Sequence, residues 1–214
     1  MAKSGPRGRG RPAAADQGAA RSALIAATID ALREEGFVGA SARAIAARAG
    51  FNSAAVFYHF GSVNELLLAA LDESSAARLA RYREATAGVT DVVELIRVTA
   101  ALNREDYEAG HIAVMAALVG GAAAIPGLGP AIAERVQPWI DLTTEVIGRI
   151  ADAHQLQALI DAPALARGMV SLFLGIELMA QLEGDRRNGQ ALFDEADKML
   201  GYVTPLLAML RVNR

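Results

Sequence analysis

The sequence predicts an all-α protein. No segment alternates apolar and polar residues as a half-buried strand does, and the β-branched residues are scattered among Ala and Leu. Hydrophobic residues occupy 53% of the 214 positions, enough for one large domain or two small ones with a core. Breaks made of Gly, Pro and polar residues divide the chain into nine expected helices.

The first predicted helix covers residues 19–35. Ile25, Thr28 and Leu32 recur at helical spacing and form its expected buried stripe. Gly36 suits the C′ position, where a helix often ends in a left-handed residue.

Two short helices separated by a tight turn follow. Ser41 suits the N-cap of the first, ARAIAARA, in which Ile45 and Ala49 share one face. Gly50 ends this helix, and Asn52 is expected to cap the second one, SAAVFYHF.

The second short helix is amphipathic. Val56 and Phe60 form an i, i+4 pair on the inner face. Ser53, Ala54 and Tyr58 must then point outward.

A long helix is expected after Gly61. Ser62 and Glu65 form a capping-box pattern before the apolar run LLLAAL, and the helix should continue past Arg83 to an end at 87–88. Further helices are expected at about 90–108, 111–124, 130–153, 163–183 and 189–211.

Residues 112–133 contain no charged side chain and are about as long as a membrane span. Pro126 and Pro130, with two glycines between them, would break a helix there. We therefore expect a buried helix, a loop and the start of another helix, and no membrane partner.

Charge is unevenly distributed along the chain. Residues 1–64 carry eight Lys and Arg against four acids, whereas the remaining 150 residues carry 13 against 20. This asymmetry indicates that only the N-terminal part approaches a polyanion.

The two short helices and their glycine turn have the spacing of a helix-turn-helix. Small and polar residues cover the outside of the second helix, as major-groove recognition requires. Periodicity alone leaves a second interpretation open, a short helical hairpin packed into a core.

The segment SARAIAARAGFNSAAVFYHFGSVNELL resembles the DNA-binding segment of the TetR family of transcriptional repressors. The resemblance is specific over about residues 19–71 and architectural beyond them. It implies a flexible basic arm at 1–18, a three-helix DNA-binding domain at 19–65 with the helix-turn-helix at about 41–60, and an effector-binding and dimerisation domain at 66–214. It also implies a homodimer that binds a palindromic operator in double-stranded DNA and is released by an unknown small molecule.

The resemblance assigns DNA contacts by position. They fall on Arg43, Asn52, Ser53, Ala54, Ala55, Tyr58, His59 and Asn64. Phe57 stands where the family usually has a tyrosine that binds phosphate, and Val63 where a lysine is usual. For His59, capping of its own helix end is the alternative role, because the helix dipole favours a cation there.

The N-terminal arm contains Arg-Gly-Arg-Pro, which is similar to the core of an AT-hook. Arg9 and Arg11 would enter a narrow minor groove. A solubilising tail that adds only nonspecific attraction to phosphate is the alternative.

The C-terminal domain offers candidates for a ligand pocket between helices. They are Tyr107, His111, Met115, Trp139, Phe173, Glu177 and Met179. Simple core packing is the alternative for most of them. Glu177 stands out, because an ionisable group within MVSLFLGIELMA is costly unless it is paired or used.

The last two helices, within residues 163–211, are more apolar than one core-facing stripe requires. A dimer interface would bury the surplus, and Gly168 and Gly175 would permit close helix crossing. A loosely packed monomer core is the alternative.

Enzymatic function is not expected. The chain lacks P-loop, GxGxxG, GxSxG and HExxH motifs, and its three histidines match no metal spacing, so we predict no cofactor and no metal. The absence of cysteine and of a secretory h-region favours the cytoplasm. The rival class is a helical ligand-binding or interaction protein with weak or no specific DNA binding.

Overall fold

The computed structural model describes residues 14–183, together with Glu195 and Lys198. Residues 14–183 form eight α-helices and one 3-10 turn, without a strand, which confirms the all-α prediction. The helices are α1 (Ala14–Gly39), α2 (Ala42–Arg48), α3 (Ala54–Phe60), α4 (Val63–Thr86), α5 (Val92–Glu108), α6 (His111–Gly121), α7 (Leu128–Ala153) and α8 (Ala162–Glu183). The predicted ninth helix, about 189–211, lies outside the described residues, except that Glu195 and Lys198 are both helical.

α1 contains a break at the position that the sequence indicated. Gly36 leaves the helical conformation with φ 68° and ψ −165°, and one short helical stretch follows it to Gly39. Only glycine adopts this backbone conformation without strain. The predicted end of the first helix at Gly36 is therefore confirmed.

One apolar core joins the N-terminal helices to α4 and α6. Its most completely buried side chains are Leu24, Leu32, Ile45, Val56, Leu66, Leu67, Leu71, Val114 and Leu118. Thr28 is also fully buried, and its hydroxyl donates to the carbonyl of Leu24 at 2.7 Å. The predicted stripe of the first helix thus faces this core.

α6 lies between this core and a cavity in the C-terminal helices. Val114, Ala117 and Leu118 pack into the core, whereas Met115 and Val119 contribute to the cavity wall. α6 ends at Gly121, where a 3-10 turn over Ala122–Ala124 begins, and α7 begins at Leu128. The apolar segment 112–133 is therefore a helix, a turn and the start of a second helix, as predicted.

α8 is apolar on a side that the described residues leave uncovered. By length and composition its segment Ala162–Met179 is the one continuous helix among the described residues that could cross a membrane, and only 11% of that segment is buried. The exposed large side chains of α8 are Leu165, Met169, Leu172, Met179 and Leu182.

Candidate DNA interface and ligand cavity

α2 and α3 form a helix-turn-helix. The sequence features that predict it, an N-cap serine and a turn glycine, lie at the start of α2 and in the turn. The Ser41 hydroxyl accepts a hydrogen bond from the amide of Ala44 at 3.3 Å, which confirms the predicted N-cap. Gly50 has φ 78°, and the amide of Phe51 donates to the carbonyl of Ala46 at 2.8 Å. This closed turn fixes the angle at which α3 leaves α2.

The N-terminus of α3 differs from the prediction. Asn52 does not cap the helix with its side chain: its backbone carbonyl accepts from the amide of Ala55 at 3.0 Å, and Ser53 occupies the N-cap position without a side-chain bond. Ser53 has helical φ and ψ of −61° and −24°, whereas side-chain capping usually requires an extended N-cap residue. The polar side chains of Asn52 and Ser53 are consequently exposed.

α3 has one buried face and one open face. Val56 is fully buried and Phe60 is half-buried against the core, with the guanidinium of Arg21 at 5.0 Å from the Phe60 ring centre. Ser53 and Ala54 are exposed, and Ala55 is half-buried. The open face is therefore made of small residues at the start of the helix.

Two aromatic residues of α3, Phe57 and Tyr58, are held outward. Tyr58 is 67% exposed and Phe57 is 54% exposed, whereas His59 is half-buried. The rings of Tyr58 and His59 meet edge to face, with centroids 4.9 Å apart. The Tyr58 hydroxyl accepts a long hydrogen bond from Gln17 of α1, at 3.4 Å. Phe57 and Tyr58 thus project from α3 instead of joining the core.

Two arginines of α2 differ in their pairing. Arg48 binds Glu34 at 2.7 Å and Glu35 at 2.6 Å, and these hydrogen bonds raise its pKa. Arg43 is exposed and forms no ion pair with the described residues. Arg43 is therefore the α2 cation that is available to a phosphate.

The structure at the start of α4 shows where the side chain of Val63 lies. The Ser62 hydroxyl accepts from the amide of Glu65 at 3.1 Å, which confirms the capping-box prediction for the serine. Val63 is half-buried against the core, and Asn64 beside it is half-buried. Val63 thus packs against the protein. Arg9 and Arg11 of the predicted arm lie outside the described residues.

The C-terminal helices enclose a cavity of about 350 Å³. Of the predicted pocket residues, Met115, Trp139, Phe173 and Glu177 line it. Tyr107 and His111 do not line it, and Met179 lies on the exposed side of α8. The other apolar lining residues come from α5, α6, α7 and α8, and include Leu95, Ile96, Ile112, Val119, Leu142, Val146, Val170 and Ile176.

The cavity has few polar groups to offer a ligand. The hydroxyls of Thr86, Thr99 and Thr143 each donate to a carbonyl one turn earlier in their own helix, at 2.7 to 2.8 Å. Arg78, Asn103 and Glu177 therefore carry most of the remaining polar character of the wall.

A buried carboxylate holds Arg78 in place. Asp106 of α5 is 1% exposed and accepts from Arg78 Nε at 2.7 Å and from Arg81 at 2.5 Å. The guanidinium of Arg78 also lies 5.2 Å from the ring centre of Trp139, and the Trp139 ring meets Tyr82 edge to face at 5.3 Å. Sequence reasoning missed Arg78, because its segment, ARLARYRE, has the composition of a solvated helix face.

Two neighbouring groups have shifted pKa values. Burial raises the pKa of Tyr82, and the charge of Asp106 adds to that rise. Burial lowers the pKa of His111, as does the positive charge of Arg78, and His111 Nδ1 lies 3.4 Å from the Ser74 hydroxyl. Tyr82 and His111 are therefore both biased toward their neutral forms.

Within the described part of the chain, no three His, Asp or Glu side chains come together as a metal site would require.

The N-terminal sequence matches a known family. Residues 24–70 match the family model described as bacterial regulatory proteins, tetR family. This match covers most of α1, all of α2 and α3, and the first part of α4. No curated protein shows a significant sequence match.

The fold extends the similarity to most of the chain. The fatty acid degradation regulator FadR from Bacillus halodurans is 15% identical with a TM-score of 0.67, over 84% of this chain and 93% of that one. SmeT, the repressor of the Stenotrophomonas maltophilia multidrug efflux pump SmeDEF, is 21% identical with a TM-score of 0.65, over 86% of this chain and 90% of that one. A regulatory protein TetR from Rhodobacter sphaeroides is 20% identical with a TM-score of 0.67, over 83% and 96%. At these identities the likeness concerns the fold.

Proposed function

We propose that this chain, whose N-terminal sequence and fold are those of a TetR-family transcriptional regulator, is a cytoplasmic repressor that binds a palindromic operator as a homodimer and is released by a small molecule. The observation that carries the proposal is the open face of α3, which presents small residues at the start of the helix and Tyr58 near its end.

α3 is suited to the major groove for steric and chemical reasons. Exposed Ser53 and Ala54 at its N-terminus let the helix approach base edges closely, and Asn52 and Ser53 supply free hydrogen-bonding groups. Tyr58, His59 and Asn64 stand at the opposite end, where contacts to phosphate would fix the register. Arg43 adds a charge from α2 that no described carboxylate neutralises, and Arg9 and Arg11 would extend the contact into the minor groove.

α8 supports a homodimer. Leu165, Met169 and Leu172 follow one another at spacings of four and three residues, which places them on one stripe of the helix. All three are exposed in the single chain. A second copy of the same face would remove this stripe from water, and the predicted interface at about 163–211 begins with it.

α6 provides a physical connection by which a ligand in the cavity would release DNA. Its residues Ile112, Met115 and Val119 touch the cavity, while Gly121 at its end contacts Phe37 of α1. A ligand that displaces α6 would therefore move α1, which carries α2 and α3. In a dimer this motion would change the separation of the two DNA-binding domains.

The test of DNA recognition is selection from a random duplex pool with the full-length protein at moderate salt. We expect an enriched palindrome, which requires a dimer that recognises sequence. AT-rich flanks would support minor-groove contact by Arg9 and Arg11. Deletion of residues 1–17 should then lower the affinity and flatten its salt dependence.

Variants of α3 test the site. Tyr58→Ala and His59→Ala should each weaken binding of the selected operator, with helix content unchanged. Val38→Ala is a control at an exposed position outside the helix-turn-helix. Operator titrations that overlay the wild-type curve would contradict the assignment.

A second candidate function has its own support. Phe57 offers an exposed apolar ring where the family usually presents a phosphate-binding hydroxyl, and Val63 packs inward. Absence of an enriched sequence with folded protein would favour a helical ligand-binding protein with a silent DNA-binding domain.

A further inference from the structure

The Arg78 side chain has hydrogen-bond donors that the described part of the chain does not use. Its Nε binds Asp106 at 2.7 Å, and among the described residues neither of its terminal nitrogens forms a hydrogen bond. The side chain lines the cavity, so these terminal N–H groups are available to a ligand there. A guanidinium with free terminal nitrogens is suited to a carboxylate, which it can bind through two parallel hydrogen bonds.

Asn103 is a second polar group without a partner among the described residues. It is 5% exposed, it lines the cavity, and its side chain forms no hydrogen bond with the described residues. Because the residue lines the cavity, its amide is open to a hydrogen bond from a ligand or a solvent molecule there. Asn103 lies one turn before Asp106 on α5, so it belongs to the same end of the cavity as Arg78.

Of the two arginines that bind Asp106, one faces the cavity. Asp106 is the buried carboxylate that Arg78 and Arg81 share, and Arg81 also pairs with Glu105 at 3.2 Å. Only Arg78 lines the cavity, and Trp139 packs against its guanidinium. An anionic group in the cavity would meet the guanidinium of Arg78 in surroundings that screen charge poorly.

The other end of the cavity carries Glu177. Its neighbour Leu178 approaches Gly120 near the C-terminus of α6, whereas Arg78 is close to His111 at the N-terminus of that helix. These two positions on α6 are about 13 Å apart at the rise of an α-helix. The wall between the two ends is apolar.

From these contacts we infer that the cavity binds a hydrophobic organic acid with one carboxylate, which is held by Arg78 and Asn103 while the apolar body lies against Trp139, Met115 and Phe173. The inference rests on the proposed function only in calling this molecule the effector.

Trp139 provides a direct readout, because it is the only tryptophan of the chain and its ring lies against Arg78. Tryptophan emission of the full-length protein is titrated with two matched sets of ligands: decanoic acid, decanol and decylamine, and phenylbutyric acid, phenylbutanol and phenylbutylamine. We expect the acid of at least one set to bind about tenfold more tightly than its alcohol and its amine. Equal affinity of acid and alcohol, tighter binding of the amine, or no binding by either acid would overturn the inference.

Matched variants locate the head group. Arg78→Gln should abolish the preference for the acid, whereas Arg81→Gln should keep it, because Arg81 shares Asp106 but does not line the cavity. If Arg78→Gln does not fold, Asn103→Leu decides, since it leaves the ion pairs of Asp106 intact. Asn103→Leu should weaken binding of the acid about tenfold and change binding of the alcohol little. Unchanged selectivity in the folded variant would contradict the site.

Operator release is measured separately on the same protein. Acid binding without release would leave this inference standing and contradict the effector mechanism. Release by a ligand of another class, with neither acid bound, would contradict this inference and leave the effector mechanism standing.

Discussion

The ring of Phe37, near the end of α1, lies directly over the backbone of Gly121, the last residue of α6. A Cβ atom at position 121 would overlap the base of the ring, so only glycine permits this contact. Phe37 and Gly121 therefore join α6, which borders the cavity, to α1, against which α2 and α3 pack.

Gly121→Ala is expected to destabilise the protein by about 1–3 kcal/mol, because the added methyl overlaps the Phe37 ring in a packed interface. Urea unfolding measures the loss. Gly120→Ala is the matched control, since a Cβ there meets only Leu178, at 4.0 Å. Phe37→Leu should restore part of the stability of Gly121→Ala. Equal stability of the two alanine variants would show that the contact does not constrain α6.

Arg43→Gln is expected to lower operator affinity and to reduce the slope of log affinity against log salt concentration by about one. The reason is that Arg43 has no carboxylate partner among the described residues. Arg48→Gln is the comparison: Glu34 and Glu35 already neutralise Arg48, so its removal should change the slope little. Binding isotherms at several salt concentrations distinguish the two. A larger slope change for Arg48 would reverse the assignment.

Leu172→Asp is expected to convert the proposed homodimer to a monomer, because it places a charge in the centre of the exposed apolar stripe of α8. Sedimentation equilibrium gives the mass. Leu159→Asp, at an exposed leucine outside the helices, should leave the dimer intact. If Leu172→Asp remains dimeric, another surface forms the interface.

Stability should fall as the pH falls through the ordinary histidine pKa. Burial and Arg78 depress the pKa of His111 below 6.5, so near that pH the unfolded chain binds more protons than the folded one. The contribution of His111 to stability is present above about pH 6.5 and is lost on acidification toward its pKa in the folded state. Urea midpoints of the wild type and His111→Asn between about pH 8 and pH 5 should converge at the acid end if this group is responsible.

The features that the sequence determined by itself are local. Ser41 and Ser62 cap the helices that follow them, Gly36 takes positive φ, and Val56 faces inward. Each depends on hydrogen bonds or spacing within about four residues, so the residue types alone predict it. Asn52 was the exception, because the helical backbone of Ser53 replaced the expected side-chain cap.

The features that only the tertiary structure decided join distant parts of the chain. Arg48 could have met a phosphate, but α1 brings Glu34 and Glu35 to it. Arg78 could have faced water with its neighbours in α4. Instead α5 places Asp106, which lies 28 residues later in the chain, beside Arg78, and the ion pair holds Arg78 at the cavity. A long charged side chain reaches many partners, and helix packing selects one of them. For that reason the fold and the helix-turn-helix segment were predictable from the sequence, whereas the polar end of the cavity was not.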